Sequence, residues 1–149
     1  CAKIIHTVGH VYRDGNHNEE VVLQNCYINS MNLAKNYLLQ SGKEKISIAF
    51  PCIGTGVYHF PQKRAAEIAI ETIKKLNYEN IDVIFVCFLD SDYQIYQELL
   101  KKYKSNYILN NPIKLYEMQE QKLDVLYDRL NNSIKTKLDN YIHIKHMLC

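Results

Sequence analysis

The residues best suited to chemistry lie in one short loop, Gly54-Thr55-Gly56, which follows an apolar strand-like run and precedes a helical pattern. In an open α/β sheet, ligands bind at the carboxyl ends of the strands. Glycines there let the backbone approach a ligand and turn several N–H groups toward one point, which suits phosphate oxygens. A tight turn without a ligand would use the same glycines, so the spacing alone leaves both interpretations open.

The composition is that of an ordinary globular domain. The 149 residues are 47% hydrophobic and 23% charged, which excludes wholesale disorder and a collagen-like fibre. A formal net charge of +2 is too balanced to indicate nucleic acid or an acidic membrane as partner, because clustered Lys and Arg meet such partners. No apolar run reaches the roughly 18 residues of a membrane helix. Five irregularly spaced cysteines favour reduced thiols, and we expect a cytoplasmic protein.

Strand and helix patterns alternate along most of the chain. The predicted elements are a strand at 4–11, a helix at 19–40, a strand at 46–50, a helix opening at Pro61, a strand at 81–88 and a helix opening at the capping-box-like Ser91. Short connections between such elements require right-handed crossovers. The order therefore predicts an α/β fold, a three-layer α/β/α sandwich around a parallel sheet.

The pattern changes in the last part of the chain. From about Ile113 to Tyr141 the strand signals disappear, which predicts a helical C-terminal extension over residues 111–149. Apolar residues there recur at alternating four- and three-residue steps, interrupted by Lys137. The pattern fits one helix laid against the domain, and the alternative is a short coiled coil through which the chain self-associates.

The segment around the loop, from Ile48 to Pro61, resembles the second ligand loop of macrodomains, the ADP-ribose-binding family. Three further stretches agree in order and spacing, at residues 4–15, 26–34 and 83–96. The resemblance covers roughly residues 1–105. It implies that residues 1–110 are the C-terminal two-thirds of a macrodomain with an incomplete sheet, followed by the helical extension.

The resemblance also implies the ligand contacts. In macrodomains the backbone N–H groups of this loop cradle a diphosphate, and here those groups would belong to Gly54, Thr55, Gly56, Val57 and Tyr58. The aromatic at Tyr58 would lie near the distal ribose, and Phe88 would lie beside the adenine. The residues taken alone also allow Tyr58 to be a rim aromatic and Phe88 to be a core residue.

Three positions depart from the family pattern. Gly54 stands where the family usually has Ser, so a hydroxyl near the phosphates is missing while the backbone donor remains. His59 replaces a small residue, commonly Gly, and its imidazole could narrow the distal end of the site. His10 replaces a common Pro.

The chain starts on Cys1, just after the part of the family pattern that supplies the adenine-reading acid, the Asn-rich run and the catalytic Asp loop. We therefore expect a fragment, with a gap or shifted pairing in the sheet and a long exposed edge prone to self-association. The alternative for Cys1 is an acylated lipoprotein residue, but no polar tether follows it.

By resemblance, the parent protein binds ADP-ribose and hydrolyses ADP-ribosyl esters, either on proteins or in O-acetyl-ADP-ribose. A positioned water attacks in that branch, without metal or cofactor, and the catalytic residues of this chain stay unknown. The alternative is a reader module that binds ADP-ribose without turnover. A third possibility is an interaction segment with no ligand.

The remaining candidate groups are histidines and a cysteine. His143-x-x-His146-x-x-Cys149 has the spacing of a partial zinc set, although no fourth ligand lies nearby in sequence. His6 and His17 have no visible acid or nucleophile partner in the sequence.

Overall fold

A computed structural model of the chain describes residues 3–104 and 113–117, without the side chains of residues 103, 104, 116 and 117. The elements in these ranges are α1 (Glu19–Ser41), β1 (Ile46–Pro51), α2 (Gln62–Leu76), β2 (Ile81–Cys87), α3 (Asp90–Lys104) and β3 (Ile113–Glu117). The strands form one parallel sheet in the order β1-β2-β3. The predicted alternation of helices with parallel strands is confirmed.

Local signals fix the ends of the helices. Gly42 has a φ of 65°, the left-handed conformation that ends α1 at the Ser41-Gly42 pair, as the sequence indicates. Pro61 lies just before α2, and its carbonyl accepts the N–H of Ala65 at 2.9 Å. α3 begins at Asp90, one residue before the predicted Ser91.

The core lies on one face of the sheet. Every second residue of β2 is buried, beginning with Ile81, and the helices pack against this face. The Phe85 ring is 4.7 Å from that of Tyr96 in α3, and the Phe50 ring is 5.1 Å from that of Tyr27 in α1. Because β1 and β2 are parallel, with Pro51 opposite Val86, their carboxyl ends meet at one edge of the domain.

The predicted strand at 4–11 is wrong. No strand in the described ranges pairs with this segment, and the Ile4 and Val8 side chains are 71% and 74% exposed. Toward its C-terminal end the segment is hydrogen-bonded to α1, where the Cys26 thiol donates to the Val8 carbonyl at 3.3 Å. A β-branched run forms a strand only where a neighbouring strand supplies the hydrogen bonds, and the described residues supply none to this segment.

The expectation that the chain forms no strand after residue 110 is also wrong, for five residues. Ile113–Glu117 forms β3, with Val83 of β2 opposite Ile113. Ile113 and Leu115 are half-buried against the core while Lys114 is exposed, which is the alternation of a strand with one covered face. The rest of the predicted extension, including the coiled-coil seam, lies outside the described residues.

β1 is one of the two outer strands of the described sheet, and β3 is the other. The second edge of β1 has no partner strand within residues 3–104 and 113–117. In the same ranges, no helix is both long and apolar enough to cross a membrane.

Candidate functional site

The predicted loop and Phe88 leave neighbouring strands at the same edge of the sheet. The loop, residues 52–60, follows the last residue of β1, and Phe88 follows the last residue of β2. The two strand ends lie side by side, and the Sγ atoms of Cys52 and Cys87, which follow the paired residues Pro51 and Val86, are 3.8 Å apart. The structure therefore places all six predicted ligand-binding residues at the carboxyl ends of adjacent parallel strands, where α/β proteins bind ligands.

Gly54 gives the loop its shape. Its φ of 85° is left-handed, and a Cβ added there would lie 3.4 Å from the Cβ of Phe60. The Gly54 carbonyl accepts the N–H of Phe60 at 2.9 Å, and the Gly56 carbonyl accepts the N–H of His59 at 2.9 Å. The loop is thus a closed, self-supported turn whose conformation at position 54 favours glycine.

The turn leaves several backbone donors uncommitted. Within the described part of the chain, the N–H groups of Gly54, Gly56, Val57 and Tyr58 have no hydrogen-bond acceptor. The Thr55 N–H makes a long bond of 3.5 Å to the Cys52 carbonyl. Unpaired backbone N–H groups require an acceptor, which is water or a ligand oxygen at this surface. A run of such donors can bind an anion without any charged side chain.

The two aromatic residues predicted to contact the ligand, Tyr58 and Phe88, differ in their exposure. Tyr58 is half-buried, and its ring lies 3.7 Å from the position of a Cβ on Gly9, so that glycine leaves room for the ring. Phe88 is 64% exposed, which rules out the alternative that it is a core residue. Val57 is 60% exposed, and Gly56 adjoins open space, with nothing within 4 Å of its Cβ position. An approaching ligand would therefore meet apolar surface beside the free donors.

His59 occupies a left-handed position, with a φ of 53°. This conformation favours glycine, which gives a physical reason for the small residue that the family commonly has there. The His59 side chain is exposed.

A buried polar cluster beneath the loop escaped the sequence analysis. Asp92, near the start of α3, is 4% exposed, and burial raises the pKa of its carboxyl group. The Cys52 thiol donates to Cys87, and this bond together with burial strongly raises the pKa of Cys52. Tyr27 and Tyr96 close the cluster, and burial raises the pKa of both hydroxyls. Its members come from the loop after β1, from β2, from α1 and from α3, so no local sequence pattern could reveal it.

Ser91, the first residue of the predicted capping box, lies in the first turn of α3 and contacts α2. The Ser91 hydroxyl accepts a hydrogen bond of 3.1 Å from the Gln62 side-chain amide, which joins the starts of α2 and α3. Both helices begin at the edge of the sheet that carries the loop. This contact therefore helps to hold the two elements that flank the site.

Glu19 organises the turn that precedes α1. Its side chain is 1% exposed, and one oxygen accepts the backbone N–H groups of Arg13, Asp14 and Gly15 at 3.2–3.4 Å. The other oxygen accepts the N–H of His17 at 2.6 Å. Burial alone would raise the pKa of Glu19, but the N–H donors outweigh it and lower the pKa to about 2.

Asp14, His17 and Glu19 form the one group of metal-type ligands in the described ranges, with ligand atoms within 4.8 Å of one another. The backbone donors already occupy both Glu19 oxygens, so this group stabilises the turn. The expectation that His17 lacks an acid partner is wrong, because its Nδ1 lies 2.9 Å from Asp14 Oδ1. The predicted zinc set of His143, His146 and Cys149 lies outside the described residues.

Comparison with known proteins identifies the fold. Residues 1–69 match the family model of the Macro domain. An O-acetyl-ADP-ribose deacetylase of Escherichia fergusonii is 44% identical over 100 residues, which are 65% of this chain and 53% of that protein. A human ADP-ribose glycohydrolase is 39% identical over 124 residues, which are 78% of this chain and 27% of that protein. The chain thus spans about half the length, or less, of these curated relatives.

Solved structures of macrodomains are also similar to this chain. A mutant of the Oceanobacillus iheyensis macrodomain matches with a TM-score of 0.60 at 38% identity, over 68% of this chain and 52% of that one. A second mutant, solved with ADPR, matches with a TM-score of 0.59 at 39% identity over the same shares. The α/β fold of macrodomain type predicted from the sequence is confirmed. By sequence model, relatives and fold together, the matched part of the chain is similar to the macrodomain family.

Proposed function

We propose that the chain binds ADP-ribose at the loop after β1. In this proposal the loop's backbone N–H groups hold the diphosphate, Tyr58 packs near the distal ribose, and Phe88 covers one face of the adenine. The donating residues are Gly54, Thr55, Gly56, Val57 and Tyr58. The observation that carries the proposal is the run of uncommitted N–H groups in a turn already closed by its own hydrogen bonds.

The charge of the loop suits this ligand. Residues 52–60 contain no carboxylate, so nothing within the loop repels a diphosphate. The exposed apolar surface of Val57 and Phe88 adjoins the donors and suits the sugar and base. Since the turn is preformed, binding does not require the loop to be ordered first, which favours affinity.

The proposal extends to the whole protein, which we expect to hydrolyse ADP-ribosyl esters. The names of two relatives, an O-acetyl-ADP-ribose deacetylase and an ADP-ribose glycohydrolase, support it. In such a reaction water adds to the ester carbonyl and releases the carboxylic acid from the distal ribose. The part of this chain in that reaction is to hold the diphosphate and place the ribose for attack.

A thermal melt with and without ADP-ribose tests the binding proposal, with AMP as the control. A ligand at 100 times its Kd adds about 2.7 kcal/mol to the free energy of unfolding, so Tm rises by several degrees. AMP lacks the second phosphate and the distal ribose, and should shift Tm much less. A cooperative melt that ADP-ribose leaves unchanged would contradict the proposal.

The second candidate is a reader that binds ADP-ribose without turnover. It is favoured by the chemistry of Gly54–Tyr58, which binds through the backbone and contains no side chain of acid–base type apart from the Tyr58 phenol. Release of acetate from O-acetyl-ADP-ribose by protein that binds ADP-ribose would establish the hydrolase. Binding without any release would establish the reader.

A further inference from the structure

Two carboxylates are buried in the described ranges, those of Glu19 and Asp92, and their partners differ. Four backbone N–H groups donate to Glu19. Asp92 is 4% exposed, and its carboxylate is hydrogen-bonded to two side chains, those of Cys52 and Gln62. Among the described residues, no Lys, Arg or His side chain pairs with Asp92. A buried carboxylate without a cation costs stability, which indicates a role other than stability.

The two partners of Asp92 lie at the two ends of the loop after β1. Cys52 is the first residue after β1, and Gln62 is the first residue of α2. The Gln62 amide has two N–H groups, so it can donate to Asp92 and to the Ser91 hydroxyl at the same time. One carboxylate in the first turn of α3 therefore joins both ends of the loop, in addition to the hydrogen bonds within the loop.

The contact with Cys52 reaches the proposed diphosphate donors through Thr55. The Cys52 carbonyl accepts the Thr55 hydroxyl at 3.0 Å and the Thr55 N–H at 3.5 Å. Thr55 is one of the five residues whose backbone would hold the diphosphate. The Cys52 thiol lies within hydrogen-bonding reach of the Cys87 sulfur and of the Asp92 carboxylate. A displacement of Cys52 would therefore move Thr55 and the donors next to it.

We propose that Asp92 is a positioning residue for the ADP-ribose site, because its carboxylate holds both ends of the loop and so keeps the backbone donors in place before the ligand arrives. Asp92 lies beneath the loop and acts through Cys52 and Gln62 rather than by touching the ligand. A loop that is already in place spares the ligand the cost of ordering it, which raises affinity. The inference rests on the binding function proposed above.

Asp92→Asn, in the full 149-residue chain, removes the charge and keeps the size of the side chain. Burial raises the pKa of Asp92, so its ionised form costs stability near pH 7, and the variant should melt at the same temperature or higher. Calorimetric titration should nevertheless show at least about fivefold weaker ADP-ribose binding, because Asn has one acceptor oxygen in place of two. A purely structural residue would lower Tm and affinity together. Glu98→Gln, exposed in the same helix, is the matched control and should change neither.

An exchange of the two side chains tests whether Asp92 acts through Gln62. Gln62→Glu alone sets two carboxylates against each other and should weaken binding at least about fivefold. The double variant that combines Asp92→Asn with Gln62→Glu keeps the net charge of the wild type and reverses donor and acceptor. Its affinity should return to within about twofold of the wild type. A double variant as weak as the two single effects multiplied overturns the inference.

Amide NMR signals test the positioning without any ligand. In the ligand-free protein, the Gly54 and Gly56 amide signals should move in Asp92→Asn and stay in place in Glu98→Gln. A wild-type chain that does not bind ADP-ribose overturns the proposed function, and this inference with it. A wild-type chain that binds, beside an Asp92→Asn variant that binds equally well, overturns this inference alone.

Discussion

The backbone N–H of Tyr12 donates to the carbonyl oxygen of Tyr58 at 2.9 Å, which fastens the N-terminal segment to the loop after β1. The Tyr12 ring also packs on that of Phe60, with centroids 4.8 Å apart. The loop is therefore supported twice, by its own turn and by a segment more than 40 residues away in sequence. Such support is what a site made of backbone donors needs, because no side chain can adjust to correct a misplaced N–H.

Gly56→Glu should weaken ADP-ribose binding without unfolding the domain. The Cβ position adjoins open space, so the side chain fits, but its carboxylate lies beside the proposed diphosphate. Two like charges about 4 Å apart repel by about 1 kcal/mol even in water, which predicts at least about fivefold weaker binding. Isothermal titration calorimetry measures the change, and Gly56→Gln separates charge from size. Equal affinity of the Glu and Gln variants would contradict the site.

Gly54→Ala should destabilise the protein by about 1–3 kcal/mol, because alanine must adopt a φ of 85° with its Cβ against Phe60. Gly56→Ala is the matched control, since that position has neither a positive φ nor a close neighbour. Urea unfolding of both variants gives the free energies. If the two alanines had the same effect, the turn would not have the described shape.

Glu19→Gln should destabilise the protein in a pH-dependent way. The pKa of Glu19 is about 2 in the folded state against 4.5 for an ordinary glutamate, so the carboxylate contributes stability above about pH 4.5. That contribution is lost as pH falls from about 4.5 toward 2, and the Tm difference between wild type and variant should shrink over the same range. Glu44→Gln, at an exposed glutamate, controls for the loss of one charge. A Tm difference that does not change with pH would rule out the backbone donors as its source.

Cys52 should resist alkylation in the folded protein. Its bond to Cys87 and its burial raise the pKa of the thiol, and the thiolate is the reactive form. At about pH 8, iodoacetamide should modify the Cys52 peptide at least about a hundredfold more slowly than the same peptide in urea. Peptide mass spectrometry reads both rates. A folded-state rate close to that in urea would show that Cys52 is not held in this cluster.

Elements with local signals were predicted well. The helix ends at Gly42 and Pro61 follow from the fixed backbone preferences of those residues, and β2 follows from an unbroken apolar run. The two errors, at residues 4–11 and 113–117, concern segments whose state depends on which strand lies beside them. Ile113 has a neighbour in β2 and pairs, whereas Ile4 has no neighbouring strand among the described residues and does not pair with one. A single sequence does not encode that adjacency locally.

The candidate site likewise has one part that could be predicted from the sequence and another part that could not. The position of the turn could be predicted from two glycines between a strand and a helix, whereas the structure alone shows that Gly54 is the left-handed one. The support beneath it could not, because Cys52 and Asp92 meet only after β1, β2 and α3 have assembled. Phe88 could not be assigned to surface or core from its strand-like surroundings, and its exposure decided the question.

The parallel pairing of β1 with β2 also sets when the site forms during folding. Cys52 and Cys87 are 35 residues apart, with a whole helix between them, so no local hairpin can bring the two strand ends together. Contacts of this range form late, after the cost of closing the intervening chain has been met. We therefore expect the loop after β1 to acquire its shape late in folding. A ligand bound there should consequently slow unfolding and leave the rate of folding nearly unchanged.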